Sequence, residues 1–181
     1  MSQSMFSPYG LVGGTSLALQ IGHRLSVDID MFGEAKPDED AFIGTLSSFG
    51  HVQILQKTAN ILICNVDGIK VDFVCYPYQL LRPFEVMDGI RLASLEDIAA
   101  MKLNAIAGRG SKKDFIDFYF LLRKYSLEEM IAFYQVKYPQ GSEFMVRKSL
   151  TFFDDADKES DPVMLENLSW SQIKKDLLNR I

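Results

Sequence analysis

Asp28 and Asp30 stand two residues apart in the run RLSVDIDMF, and that spacing limits what they can do. On an extended strand, side chains at i and i+2 project to the same side, with α-carbons roughly 7 Å apart. Two like charges that close repel, so they need a cation, a proton or wide solvation. A divalent ion of the Mg2+ or Mn2+ type meets the need, because it prefers carboxylate oxygens and keeps positions open for phosphate. A third acid, Asp72, is the single carboxylate of the apolar stretch IKVDFVCYPY. There Ile69, Val71 and Phe73 point one way, and Lys70, Asp72 and Val74 the other. Asp72 either faces outward from an edge strand or joins Asp28 and Asp30 across a sheet. Three converging carboxylates can ligate two metal ions, one gripping a triphosphate and one serving the attacking hydroxyl. The chemistry implied is attack on an α-phosphate with pyrophosphate leaving.

Gly13-Gly14-Thr15 falls at an expected strand-to-helix turn, where backbone N–H groups and a helix N-terminus can receive phosphate oxygens. Only one short helix separates that turn from Asp28, so a phosphate cradle can lie beside metal ligands. Downstream, Lys102 sits at the centre of the stripe formed by Leu95, Ile98, Ala99 and Ile106, and Arg109 shares its face. Either Lys102 points inward to a partner or its stem runs past the core edge. The segment KKDFIDFYFLLRKY is apolar nearly all round, so Asp114 and Asp117 need pairing there, with Lys102 and Arg109 as the obvious partners. A structural ion network and a substrate contact both fit. From Lys102 to Lys124 the chain carries six Lys or Arg against two Asp, the best candidate for a phosphate-facing surface. His23 and His51 have no companions at metal-ligand spacing; His23 can shape the turn before the acidic strand. Cys64 and Cys75 read as buried reduced thiols.

These groups need elements to hold them. Tyr9 to Val12 reads as a strand, Thr15 to Ile21 as a helix closed by Gly22, and Leu25 to Phe32 as a strand with one acidic face. A helix is expected over Asp38 to Phe49. Strands follow over His51 to Thr58, Asn60 to Val66 and Ile69 to Tyr76, the last two joined by the hairpin signal Asp67-Gly68. After a short strand, Ile90 to Ala93, Ser94 and Asp97 resemble a capping box. Helices are then expected over Leu95–Ala107, Lys112–Lys124, Ser126–Lys137, Ser142–Ala156 and Ser169–Arg180. The pattern predicts an α/β (α+β) fold: a mixed-sheet core over residues 1–93 and a helical part over 94–181 that closes the site. The 181 residues suffice for a packed core without staples, and a net charge of −5 argues against a surface that grips nucleic acid throughout. No apolar run is long enough to span a bilayer, and no targeting segment opens the chain, so no membrane partner and a cytoplasmic location are the expectation.

The motifs in order resemble one family. GGTSLALQIGHRLSVDIDMF is similar to the first motif of the AbiEii/AbiGii-type nucleotidyltransferase toxins, members of the polymerase-β-like superfamily. VDFVCYPY is similar to their second motif, and LEDIAAMKLNAIAGRGSKKDFIDFYFLL to their lysine-and-acid helical motifs. By that resemblance Gly13, Gly14, Asp28 and Asp30 belong to the nucleotide and metal site, and Arg24 and Ser26 match positions in the same motif. Lys102 matches a lysine that contacts nucleotide phosphates, Asp114 the later acid, and Asp117 a further acid. The resemblance implies a toxin that moves a nucleotide from an NTP to an acceptor, such as tRNA or a protein, and is restrained by an antitoxin. Relative to that pattern the chain starts close to its first motif and is brief after Tyr125, features expected to bear on acceptor recognition. A fold-retaining, non-catalytic nucleotide-binding module is the main alternative. A metal-dependent nuclease ranks below both, because it explains neither the diglycine turn nor Lys102.

Overall fold

Alternating apolar residues along the first ninety positions build one sheet. The computed structural model describes residues 4–181. In chain order the elements are β1 (Tyr9–Leu11), α1 (Gly13–Ile21), β2 (Ile29–Gly33), α2 (Glu39–Leu46), β3 (Val52–Lys57), β4 (Ile61–Val66), β5 (Ile69–Cys75), β6 (Glu85–Met87) and β7 (Ile90–Leu92). The helices α3 (Leu95–Gly108), α4 (Lys112–Leu121), α5 (Leu127–Lys137), α6 (Glu143–Ser149) and α7 (Trp170–Arg180) follow. The chain forms two compact units. One comprises the chain up to Ser16 with Ser26–Tyr78 and Pro83–Ala93; the other comprises Leu17–Leu25, Gln79–Arg82 and Ser94–Ile181. Ser94, where strands give way to helices, is one of the crossing points.

The first unit is a mixed seven-stranded sheet of order β3-β4-β5-β2-β1-β7-β6. Its central strands β2 and β5 run parallel, with β1 antiparallel to β2. One face carries Tyr9, Leu11, Met31, Leu62, Cys64, Val71 and Phe73, and Phe42 and Leu46 of α2 join them in the core. Phe42 packs edge-on against Phe73 at 4.6 Å between ring centroids, and Phe6 stacks on Phe73 at 5.4 Å. Alternation therefore sends Asp30 and Asp72 to the opposite face. The hairpin β6–β7 turns at Asp88-Gly89, both at positive φ, as Asp67-Gly68 does between β4 and β5. Sequence reading credits only the second of these two identical signals, so β6 went unexpected; its residues are all exposed and carry no buried face to betray a strand.

The second unit packs α3 against α4, α5 and α6. Side chains of Ser94, Ser126, Ser142 and Ser169 cap four helices, with reciprocal capping boxes at Ser126/Glu129 and Ser169/Gln172. At Ser94 the reciprocal bond is missing: Ser94 Oγ donates to Asp97, whose carboxylate serves other partners.

Two expectations need correction. The strand expected over Leu25 to Phe32 begins only at Ile29, and Val27 is 68% exposed rather than part of a buried face. The backbone there is engaged elsewhere: Leu25 N–H donates to Val163 O at 2.8 Å, Leu165 N–H to His23 O at 2.9 Å, and Arg24 forms a β-bridge with Met164. The helix expected over Ser142 to Ala156 stops at Ser149. Phe153 is turned inward there to pack on Phe115 at 4.8 Å and Trp170 at 5.8 Å, a position continued helix would not provide.

Candidate active site

The parallel register of β2 and β5 sets Asp30 directly beside Asp72. Asp72 is 9% exposed and stands in the one strand pair that can deliver two carboxylates to neighbouring positions of one face. Its Oδ2 accepts a bond from Lys70 Nζ, its neighbour two residues back on the same face. Its Oδ1 is buried with no hydrogen-bond partner. A buried carboxylate oxygen without a donor is costly, and a cation or a proton relieves it. The register brings Asp72 beside Asp30, and the outward edge position is excluded because β5 lies between β4 and β2.

The diglycine turn lies against the same acids. Gly13 opens α1 at φ +69°, and a β-carbon there would fall 2.6 Å from Asp30 Oδ2, so only glycine fits both the backbone and the space. Val12 N–H donates to Asp30 O at 2.9 Å, fixing the turn to β2. Thr15 Oγ1 donates to Asp28 O and lies 2.8 Å from Ser26 Oγ. Thr15 and Ser26, expected near the nucleotide, thus tie the segment before β2 to the start of α1. Asp28 precedes β2 rather than lying within it, and its side chain is half-buried. Among the described residues no three His, Cys, Asp or Glu form a ready-made metal cluster. What fits a hard divalent ion is narrower: Asp30 and Asp72 in register, the unsatisfied Oδ1, and the close approach of the Asp30 carboxylate to the diglycine turn that Gly13 permits.

The remaining candidates form a separate, buried ion network within the helical unit. Asp117 is fully buried: its Oδ1 accepts from His23 Nε2 and Arg24 Nε, both at 2.7 Å, and its Oδ2 from Arg24 Nη2 at 2.9 Å and Lys102 Nζ at 2.6 Å. Asp114, also fully buried, takes Lys102 Nζ at 3.0 Å, Arg109 Nε at 2.8 Å and Nη2 at 3.1 Å, and Ser111 Oγ at 2.7 Å. Burial alone would raise both carboxyls, but Lys102, with Arg109 on one and His23 and Arg24 on the other, holds Asp114 down at about 2 and Asp117 lower still. For Lys102, burial pulls the pKa down while the two carboxylates outweigh it and raise the ammonium above its ordinary value. The inward-facing reading of Lys102 is the one realised. Arg109 spreads its side chain into solvent at 70% exposure.

Arg24 needs correction as a nucleotide-site residue. It is buried, with Nε and Nη2 on Asp117 and Nη1 on Leu25 O, so its donors anchor the chain instead of meeting a phosphate. His23, given no chemistry from sequence, is the partner that was missed: its Nε2–H donates to Asp117, leaving Nδ1 buried without a partner.

Paired acids on parallel neighbours, backed by a glycine turn that opens a helix, define the nucleotidyltransferase type of fold. The chain belongs to the family described as Nucleotidyl transferase AbiEii toxin, Type IV TA system, whose model matches residues 6–179. It is 38% identical over 165 residues to an uncharacterized protein of Aquifex aeolicus, an alignment that spans 88% of this chain and 80% of that one. The fold is similar to JHP933 from Helicobacter pylori (TM-score 0.63, 19% identity, 96% of this chain and 82% of that one). It is also similar to MenT4, a nucleotidyltransferase toxin from Mycobacterium tuberculosis (TM-score 0.55, 15% identity, 96% and 76%). A third likeness is to the Megavirus polyadenylate synthase (TM-score 0.52, 19% identity, 83% and 36%). By family and fold, then, the protein is a nucleotidyltransferase of the toxin–antitoxin type. No helix among the described residues is long and apolar enough to cross a membrane.

Proposed function

We propose that the protein transfers a nucleoside monophosphate from an NTP to an acceptor, an RNA such as tRNA or a protein, in a metal-dependent reaction. In this reading it acts as a cytoplasmic toxin restrained by a cognate antitoxin. The observation that carries it is the buried, unpartnered Oδ1 of Asp72, in register with Asp30, whose own carboxylate lies against Gly13.

Asp28, Asp30 and Asp72 would hold Mg2+ or Mn2+, which when bound supplies charge neutralisation at the triphosphate. Gly13, Gly14 and Thr15 offer the start of α1 to phosphate oxygens, and Ser26 braces that turn through Thr15. Asp72 accepts the proton of the acceptor hydroxyl. The hydroxyl oxygen bonds to the α-phosphorus, the bond from that phosphorus to the β-phosphate bridging oxygen breaks, and the electron pair leaves on pyrophosphate. The family resemblance implies nucleotide-side roles for Lys102, Arg109 and Asp114; within the helical unit Asp114 pairs with both cations, and of the two Arg109 is the one that reaches solvent.

Incubation with Mg2+, each labelled triphosphate and total tRNA tests the reading. Labelled RNA that disappears in Asp30→Asn and Asp72→Asn is the expected result. Measurable nucleotide binding without labelling of RNA or protein by any of the four nucleotides would instead support a non-catalytic module. That second reading draws on Lys70, whose ammonium already occupies one oxygen of Asp72.

A further inference from the structure

The acid-bearing face of the sheet runs, toward the C-terminal ends of β2 and β5, into aromatic rings that the reaction described above does not use. Phe32 is two residues beyond Asp30, hence on its side of the sheet and roughly 7 Å along it. Tyr76 continues the Asp72 side just past β5, where its N–H donates to Gly33 O at 2.7 Å and extends the ladder. The Phe32 and Tyr76 rings lie 4.8 Å apart between centroids at 41°, and Tyr78 follows at 5.2 Å from Tyr76. Tyr78 is 43% exposed, and Phe32 and Tyr76 are only half-buried. On the other flank, Gly10 pairs with Phe32 and a β-carbon there would meet the Phe84 ring at 2.2 Å, so that ring lies directly on the Gly10 backbone. The core of this unit is on the opposite face, so packing against α2 does not account for these rings.

Their position has a direction. Because β1 is antiparallel to β2, the Gly13 turn sits toward the N-terminal end of β2, on the far side of Asp30 from Phe32. In a phosphoryl-type displacement the attacking and leaving oxygens are roughly in line through phosphorus. With the leaving pyrophosphate toward the glycine turn, the attacking hydroxyl comes from the aromatic end. We propose that Phe32, Tyr76 and Tyr78 form a stacking platform for the terminal nucleobase of a polynucleotide acceptor. This rests on the transfer reading and deepens it, since a ring platform suits a single-stranded nucleic-acid end: every base has a π-face to lay on it. It assigns these rings a role in holding the acceptor, apart from the groups that hold the triphosphate.

The test is a titration of the full chain with a short oligoribonucleotide carrying 2-aminopurine as its 3′-terminal base, whose fluorescence falls on stacking. A parallel titration uses 2-aminopurine riboside triphosphate. Quenching of the oligonucleotide by the wild type and by Tyr76→Phe is expected, with affinity weakened about tenfold in Phe32→Leu and in Tyr76→Leu. An oligonucleotide lacking its 3′ base should bind the wild type as weakly as the intact one binds Tyr76→Leu. Thermal melts of each variant check folding, and Tyr78→Leu, at a more exposed ring, gives the same readout should Phe32→Leu fail to fold. Undiminished quenching in every leucine variant overturns the platform. So does a loss confined to the triphosphate, which would give the rings to the donor base. The titration needs no turnover, so ring-dependent quenching in a protein that labels no RNA would retain the platform and refute the transfer reading alone.

Discussion

At the scale of single residues, Asp72 is the group whose state is most demanding. One of its oxygens is bonded to Lys70 and the other is buried without a donor. Asp72→Asn should therefore separate function from stability: transfer falls by on the order of a hundredfold or more, because a charge that the reaction needs is gone. The urea midpoint should hold or rise, because a carboxylate with one oxygen buried and unpartnered is replaced by a neutral amide, and the half-exposed Lys70 can turn to water. A midpoint that drops together with activity would mean that Asp72 is a structural acid. Gly13→Ala is expected to fail on both counts, since its β-carbon meets Asp30 Oδ2 and its φ is left-handed. A loss of about 1–2 kcal/mol from the backbone conformation alone is expected in denaturant melts. Sequence reading reached both residues, since strand alternation and a diglycine turn are local patterns. The Lys70 bond to Asp72 was equally local, two residues away on the same face, and was passed over.

At the scale of elements, α4 is a hub of buried charge. Asp114 and Asp117, one turn apart on it, bind Lys102 of α3 between them, and Asp117 also takes His23 and Arg24 from the segment after α1. Removing one partner from such a set strands the others, so Asp117→Ala should cost about 3–5 kcal/mol in urea unfolding. The pH dependence follows from Asp114, held at about 2 against an ordinary 3.8. A depressed folded-state pKa gives stability that is complete above the unfolded value and lost as pH falls through the folded one. Unfolding free energy should thus decline between about pH 4 and pH 2, by roughly 2 kcal/mol from this group. Asp114→Asn should flatten that part of the profile. An unchanged slope would place the lost stability on other acids. The pairing of Lys102 with these acids could be inferred from helix faces, because the stripe on α3 and the buried acids on α4 are both periodic. The arrival of His23 and Arg24 could not, because it joins residues more than ninety positions apart.

At the scale of the whole molecule, the division into units does not follow the chain. Leu17–Leu25 and Gln79–Arg82 belong with the C-terminal helices, and buried acids hold both. Asp97 accepts from Leu81 N–H at 3.0 Å, Arg82 N–H at 3.2 Å and Lys137 Nζ at 2.6 Å, and Lys137 also donates to Gln79 O at 3.0 Å. A fragment beginning at Ser94 would strand Asp117 without His23 and Arg24, and Asp97 without the 81–82 amides. Such a fragment, residues 94–181, should lack a fixed core by near-ultraviolet circular dichroism, although its helices are well capped. Recovery of native-like signal would show that the inserted segments are dispensable. Within the full chain, Lys137→Met should cost about 3–5 kcal/mol by leaving Asp97 buried and unpaired, and pairing it with Asp97→Asn should recover part of that loss.

What the sequence determined by itself was whatever depends on neighbours along the chain. Strand and helix periods, serine caps, the glycine turn, the acidic alternation and the ordered motifs of the family are all readable within twenty residues or so. The tertiary structure alone decided which distant backbone and charge partners meet. It drew Leu25 away from the expected strand by pairing residues 23–25 with 163–165, turned Arg24 into an anchor, and set Asp72 in register with Asp30. The physical reason is that a local pattern fixes the direction in which a side chain points. The group that satisfies it is chosen by burial, where every donor and acceptor competes for partners brought in from elsewhere in the chain.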